Sequence, residues 1–201
     1  FLLVDELIQK AIDNLNSWET ISFCDGNIIV EEKKMDMEEG HHDLFQSLCT
    51  KFDESQYLDR IKLYDLRLSA NNLGGDYFKG KKIIDMGCGH GNFAHAFLNA
   101  GATSVLGIDY GEESINYANA ARDRLSVSQD RLQFKLENVY SVKEEDNSFD
   151  FAVQNGVFHH LEDEDRAYSE MYRLLKPGSW AWIYTAGEGS IARDLCHESV
   201  K

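Results

Sequence analysis

Apolar residues recur along this chain with two different periods, and the switches between the periods mark out its elements. Leu3, Leu7, Ile8, Ala11, Ile12 and Leu15 fall at helical spacing, with Asp5, Glu6, Gln9 and Asp13 elsewhere on the turn, so residues 1–15 are predicted to form an amphipathic helix. Ile21-Ser22-Phe23 and Ile28-Ile29-Val30 flank Cys24-Asp25-Gly26-Asn27, the pattern of a small hairpin with a glycine-bearing turn. Residues 31–42 are polar and charged and read as a loop or linker. Helical spacing returns over 43–70, where Leu44, Phe45, Leu48 and Phe52, then Tyr57, Leu58, Ile61, Tyr64 and Leu68, supply apolar faces. Two helices broken near Asp53-Glu54-Ser55 are expected there, the second ended by Asn71-Asn72-Leu73-Gly74-Gly75.

Beyond residue 80 the period alternates between strand and helix. Ile83-Ile84 reads as a short buried strand, 93–100 as a helix stopped by Gly101, and 104–110 as a second strand leading into a helix over 112–125. Leu132-Gln133-Phe134-Lys135-Leu136 alternates as a third strand, and residues 149–155 form a fourth. A helix over 164–175 then stops at Lys176-Pro177-Gly178, before a fifth strand over 179–184. At 201 residues the chain suits one α/β domain with an attached subdomain.

Chemistry concentrates at Ile83-Ile84-Asp85-Met86-Gly87-Cys88-Gly89-His90-Gly91-Asn92-Phe93-Ala94. A strand, a glycine turn and a helix opening make a site for a small anionic or hydroxyl-bearing ligand, because glycines admit close approach and a helix start offers N–H groups. An ordinary strand-to-helix turn and a dinucleotide site use similar sequences. The dinucleotide fingerprint, however, puts its third glycine three residues after its second, and its acidic residue much later. Here Asn92 stands at that place, the third glycine is Gly91, and Asp85 precedes the first. The second strand ends at Asp109, 22 residues after Gly87. A carboxylate at a strand tip can accept hydrogen bonds from both hydroxyls of a ribose.

The pattern D-x-G-x-G-x-G over Asp85–Gly91 resembles motif I of the class I S-adenosylmethionine-dependent methyltransferases of small-molecule type. Three further stretches extend the resemblance from residue 81 to about 184: Asp109-Tyr110; Gly156-Val157-Phe158-His159-His160-Leu161-Glu162-Asp163; and Arg173-Leu174-Leu175-Lys176-Pro177-Gly178, similar to the family's "R-x-L-K-P-G" element. The resemblance implies a Rossmann-like, doubly wound and mostly parallel α/β sheet, with residues 76–201 as the cofactor-binding core and 1–75 as an N-terminal helical and hairpin lid. It implies S-adenosylmethionine as cofactor, with Asp85, Gly87, Cys88, Gly89, Gly91 and Asn155 toward its methionine half. Asp109 would face the ribose, Tyr110 the adenine face, and Asn138 and Val139 the adenine edge. Asn138 stands where the family usually carries Asp, and its carbonyl can accept the same bond. His160 matches the family's recurrent histidine and is the candidate catalytic base; holding its loop is its bland alternative. Helices before motif I often line the acceptor pocket, which makes Tyr57, Tyr64, His41 and His42 candidates there; half-buried packing is the other reading of the two tyrosines.

Composition narrows the partners. Formal charge is −15, from 35 acidic and 20 basic residues, a field that opposes a nucleic-acid backbone and tolerates a cationic sulfonium. The single proline, Pro177, leaves no Pro-Pro-aromatic or Pro-Cys motif of the nucleic-acid methyltransferases, so a small-molecule acceptor is expected. Gln154 and Asn155 at the fourth strand's end offer no carboxylate cluster, and no metal is implied. Cys24, Cys49, Cys88 and Cys196 form no C-x-x-C pair, and a reduced, cytoplasmic chain without a membrane span or signal peptide is expected. The family's sheet has seven strands and the pattern here stops at five. A C-terminally incomplete core is therefore expected, its fifth strand offering an open edge to a partner domain or subunit. A non-catalytic cofactor-binding or scaffold subunit is the alternative function. A nicotinamide oxidoreductase is disfavoured by Asn92 and Asp85.

Overall fold

The computed structural model describes residues 19–24, 27–32 and 53–185. The chain divides into two compact units, residues 1–40 and 41–201. In the first, β1 (Glu19–Cys24) pairs antiparallel with β2 (Asn27–Glu32), Cys24 opposite Asn27 and Glu19 opposite Glu32. The expected hairpin is present, and β2 takes in Glu31 and Glu32, which the charge pattern assigned to the loop. The expected helices over 1–15 and 43–52, His41 and His42, and residues 186–201 lie outside the described residues.

The second unit is a five-stranded parallel sheet in the order β5-β4-β3-β6-β7, with β3 Lys82–Met86, β4 Ser104–Asp109, β5 Leu132–Leu136, β6 Phe149–Asn155 and β7 Leu175–Tyr184. Among the described residues four α-helices accompany it: α1 (Glu54–Ala70), α2 (Asn92–Asn99), α3 (Glu112–Arg124) and α4 (Glu164–Leu174). Successive strand residues serve opposite faces. Ile83, Val105 and Phe151 pack with α1, α2 and α3, whereas Ile84, Leu106 and Ala152 pack with α4. This two-faced burial is why the strands read as apolar runs. The strand order reverses at β3, with β4 on one side and β6 on the other, and a parallel sheet opens a crevice at the carboxyl ends of such strands.

α1 begins where the acidic break at residues 53–55 was read. Asp53 accepts from the Gln56 N–H while the Gln56 side chain accepts from the Asp53 N–H, a capping box. Its Tyr57, Ile61 and Leu68 enter the first core. Phe78 was missed by the periodicity. It is fully buried, edge-on to Phe97 and Phe151, and a single aromatic in a short turn leaves no periodic trace.

The junction before β7 differs from expectation. α4 stops at Leu174, and β7 already starts at Leu175, running through Pro177 and Gly178 as a bulge in which Phe149 pairs with Leu175 but Phe151 with Trp180. Proline cannot donate to the ladder and biases the residue before it to extended backbone, so the chain leaves the helix early and the proline bulges out. Arg173 holds this corner. Its guanidinium donates to both carboxylate oxygens of Glu170, to the Val142 and Glu144 carbonyls and to Asp146. Arg173→Ala is expected to lower unfolding stability by about 2–3 kcal/mol in denaturant titrations, and Arg173→Lys to recover little, because an ammonium cannot reproduce the planar fork.

Candidate functional site

The turn after β3 is sewn to the end of β4. The Gly87 and Cys88 N–H groups both donate to the Ile108 carbonyl, at 2.8 and 2.9 Å, and the Gly91 N–H donates to the Cys88 carbonyl at 2.9 Å. Gly91, with φ 79°, then caps α2 without any side-chain acceptor, so no capping side chain takes up the first helical N–H groups. Packing requires glycine here: a Cβ on Gly91 would lie 2.3 Å from Phe134 Cζ, and one on Gly87 2.6 Å from the Val157 methyls. At Gly89 a Cβ would meet nothing within 4 Å. The rim of the turn is therefore open while its base is packed shut.

Asp109, at the tip of β4, clamps this turn. One oxygen accepts from the Gly89 N–H at 2.8 Å, the other from the Gly111 N–H at 2.9 Å at the start of α3. A carboxylate offers about four acceptor positions in all, the kind of group that can serve backbone donors and ligand hydroxyls alike. Asp85, two residues before Gly87 in β3, is 2 % exposed, and its Oδ2 has no hydrogen-bond partner among the described residues. Burial, and then the Asp109 charge, push its carboxyl up to about 7. An orphaned carboxylate oxygen below a glycine turn calls for a cation, and an α-ammonium group such as that of S-adenosylmethionine meets the need. The Cys88 thiol is pushed well up by burial and by both carboxylates, so it acts as a small neutral filler rather than a redox group.

The other strand tips converge on the same edge. Tyr110 follows Asp109 with half its surface exposed. After β5, the exposed Asn138 accepts from the Tyr140 N–H at 2.8 Å, which holds its loop, while the Val139 side chain is buried in the second core and leaves only its backbone available. After β6, Asn155 accepts from the Trp182 indole at 3.3 Å, and the Gly156 N–H donates to the Tyr184 carbonyl. His159 and His160 sit half-buried on a short 3-10 turn over Phe158–His160, their rings 3.9 Å apart.

Sequence reasoning missed several residues that hold this arrangement. Gln154 is fully buried; its Oε1 accepts from the Val157 and Phe158 N–H groups, and its amide faces the Tyr168 hydroxyl, fixing the turn that carries both histidines. Its one signal was a polar residue in an otherwise apolar strand. Of the two readings open for Tyr57 and Tyr64, packing is observed. Tyr57 is buried and donates to the His90 carbonyl at 3.0 Å, Asn92 donates back to the Tyr57 carbonyl, and Tyr64 stacks on Phe93 at 4.5 Å. His90 and His95 are buried beside these rings and held neutral, their pKa values lowered to about 4 by burial first and by Arg60 and Arg122 respectively.

Among the described residues no helix is long and apolar enough to cross a membrane, and no group of three or more metal-ligating side chains is assembled. Residues 84–183 match the family described as "Methyltransferase domain". Among curated proteins, phosphoethanolamine N-methyltransferase 2 of Caenorhabditis elegans is 31 % identical over 63 % of this chain and 28 % of its own length. Ubiquinone biosynthesis O-methyltransferase of Paracidovorax citrulli is 30 % identical over 69 % of this chain and 57 % of its own. Among solved structures, a putative S-adenosylmethionine-dependent methyltransferase of Methanococcus maripaludis superposes with a TM-score of 0.59 over 86 % of this chain and 74 % of its own, at 21 % identity, a likeness of fold. The [4+2]-cyclase SpnF has a TM-score of 0.52 at 28 % identity, over 59 % of this chain and 42 % of its own. The chain thus spans from about a quarter to somewhat over half the length of these curated relatives. With motif I, the acidic tip of β4 and the β6 turn gathered at one edge of a 3-2-1-4-5 type sheet, the chain belongs to the class I S-adenosylmethionine-dependent methyltransferases.

Proposed function

We propose that this chain binds S-adenosylmethionine at the carboxyl edge of β3, β4, β5 and β6 and transfers its methyl group to a small-molecule acceptor. The observation that carries the reading is the pair of carboxylates around one glycine turn: Asp109 bonded through one oxygen to the turn and through the other to the start of α3, and Asp85 buried beneath it with an oxygen that has no partner among the described residues. Bound S-adenosylmethionine supplies an electrophilic methyl group on a sulfonium. Asp85 would balance the ammonium charge, and the backbone of Gly87, Cys88, Gly89 and Gly91 would form the wall beside it. Asp109 would take the ribose hydroxyls, Tyr110 the adenine face, Asn138 and the Val139 backbone the adenine edge, and Asn155 the methionine side. The protein's work is to align the acceptor and exclude water. His160 would accept a proton where the acceptor must lose one. Calorimetry tests the cofactor: S-adenosylhomocysteine should bind and NAD should not, and the reverse order would sink the reading.

SpnF, named as a [4+2]-cyclase, favours a second reading in which the cofactor is bound without methyl transfer by this chain. Turnover with isotope-labelled cofactor across amines, phenols and carboxylic acids would remove it. The proposal also places a partner domain or subunit on the β7 edge, where Trp180 and Ile183 are exposed, and the chain in a reducing cytoplasm.

Asp85 makes cofactor affinity depend on pH. With its carboxyl near 7 in the free protein, about a tenth is ionised at pH 6 and nine-tenths at pH 8, so the cofactor dissociation constant should fall about tenfold across that interval. Asp85→Asn should flatten the profile. Folding runs the other way: a carboxyl raised above its unfolded value contributes stability that is complete below about pH 4 and is lost as pH rises through 7. The Asn variant should therefore be the more stable free protein at pH 8, measured by thermal unfolding.

A further inference from the structure

The last turn of α1 reaches the end of the sheet by a different chemistry. Arg67 is half-buried, with its guanidinium carbon 5.2 Å from the ring centre of Tyr184, 5.4 Å from Trp182, 5.5 Å from Tyr64 and 6.0 Å from Phe93. These rings come from α1, from α2 directly after the glycine turn, and from β7. Two of them are tied to the end of β6, Trp182 through its indole bond to Asn155 and Tyr184 through its carbonyl bond to the Gly156 N–H. A cation therefore stands next to the two residues that close the methionine side of the proposed site.

Arg67 differs from other cations of this unit in how it is neutralised. Arg173 has Glu170 and Asp146, Lys176 has Asp150, and Lys135 has Glu144. The Arg67 guanidinium makes no hydrogen bond or ion pair with any described residue, in a chain where acidic residues outnumber basic ones by 35 to 20. Ring faces stabilise a guanidinium charge without engaging its N–H donors, which lie in its plane. A carboxylate neighbour would have quenched both the charge and the donors. An aromatic mount keeps them available and restricts the side chain, which is the preorganisation that bidentate recognition of an oxyanion requires. The acidic surface repels anions at long range, so an anion subsite in this chain needs a local cation without a carboxylate beside it.

We propose that Arg67 and its four rings form a subsite for the oxyanion, carboxylate or phosphate, of the methyl acceptor, so that the acceptors of this enzyme are acidic small molecules. The inference rests on the methyl-transfer reading above and specifies its substrate class. The subsite contributes binding and orientation; Arg67 is a specificity residue and takes no part in bond making.

The test uses the full chain saturated with S-adenosylhomocysteine, titrated separately with inorganic phosphate and with acetate and followed by tryptophan fluorescence, to which Trp182 contributes. Saturable binding of at least one anion is expected, weakened at least tenfold in Arg67→Met, which retains the aliphatic stem, and by less in Arg67→Lys, which retains the charge. S-adenosylhomocysteine affinity should stay within twofold in both variants. Saturation by phosphate alone assigns phosphorylated acceptors, and by acetate alone carboxylated ones. No saturation by either anion with the nucleoside bound, or equal saturation in Arg67→Met, overturns the subsite while leaving the cofactor reading in place. Failure of S-adenosylhomocysteine to bind the unaltered chain overturns the cofactor reading, and the acceptor proposal with it.

Discussion

Asp109→Ala is expected to weaken S-adenosylmethionine binding about a hundredfold, measured by calorimetry at pH 8. Two charge-assisted hydrogen bonds to the ribose would be lost, worth together about 3 kcal/mol, which is a hundredfold in affinity. The free protein is altered as well, because the Gly89 and Gly111 N–H groups lose their acceptors and the turn is no longer tied to the start of α3. Asp109→Asn should do little better, since its amide nitrogen would face one of these two donors. A second readout separates this account from a general loosening. The Asp109 charge helps to raise the Asp85 carboxyl, so the midpoint of the pH profile of binding should move down in the alanine variant. Unchanged affinity in Asp109→Ala would remove the ribose assignment.

Gly91→Ala is expected to destabilise the fold by about 3–4 kcal/mol. A left-handed backbone costs a side-chain-bearing residue about 1–2 kcal/mol, and overpacking a core costs typically 1–3 more. Both apply at Gly91, where φ is 79° and the added carbon would lie 2.3 Å from Phe134 Cζ and 3.3 Å from Ala118 Cβ. Phe134→Leu combined with Gly91→Ala should restore the packing part and leave the backbone part, a non-additivity of about 1–2 kcal/mol in a double-mutant cycle. Gly89→Ala provides the contrast. Its new carbon enters open space, so only about 1–2 kcal/mol of stability should be lost, whereas the cofactor would meet the methyl group at the rim of the turn. Denaturant unfolding of both variants, with calorimetry on Gly89→Ala, separates the base of the turn from its rim. Equal stability loss in the two would contradict the distinction.

The elements of the second unit were legible because each carries its own period. Ile83-Ile84, Val105-Leu106 and Phe151-Ala152 each place one residue on either face of the sheet, and the capping box at Asp53 marks a helix start within four residues. The α4–β7 junction was misread by several residues, because Pro177 and Gly178 signal a break and do not say whether the break is a turn or a bulge. Phe78, Gln154 and the buried His90 and His95 were illegible for another reason. The rings beside Phe78, His90 and His95 come from distant elements, which no local spacing encodes, whereas Gln154 bonds N–H groups three and four residues on and a polar residue in an apolar strand does not say whether it is buried.

By itself the sequence determined the strand and helix order from residue 82 to 184 and set Asp85, Asp109, Asn138 and Asn155 at or near strand ends. Those features depend on hydrophobic periods and turn residues that act within a few positions of one another. Only the tertiary structure decided that both Asp109 oxygens bind the neighbouring turns, that Tyr57 reaches the His90 carbonyl 33 residues away, and that four rings from three elements surround Arg67. Such contacts form when the sheet's faces and ends bring separated segments together. Their energies depend on distance in space, and spacing along the chain carries no record of them.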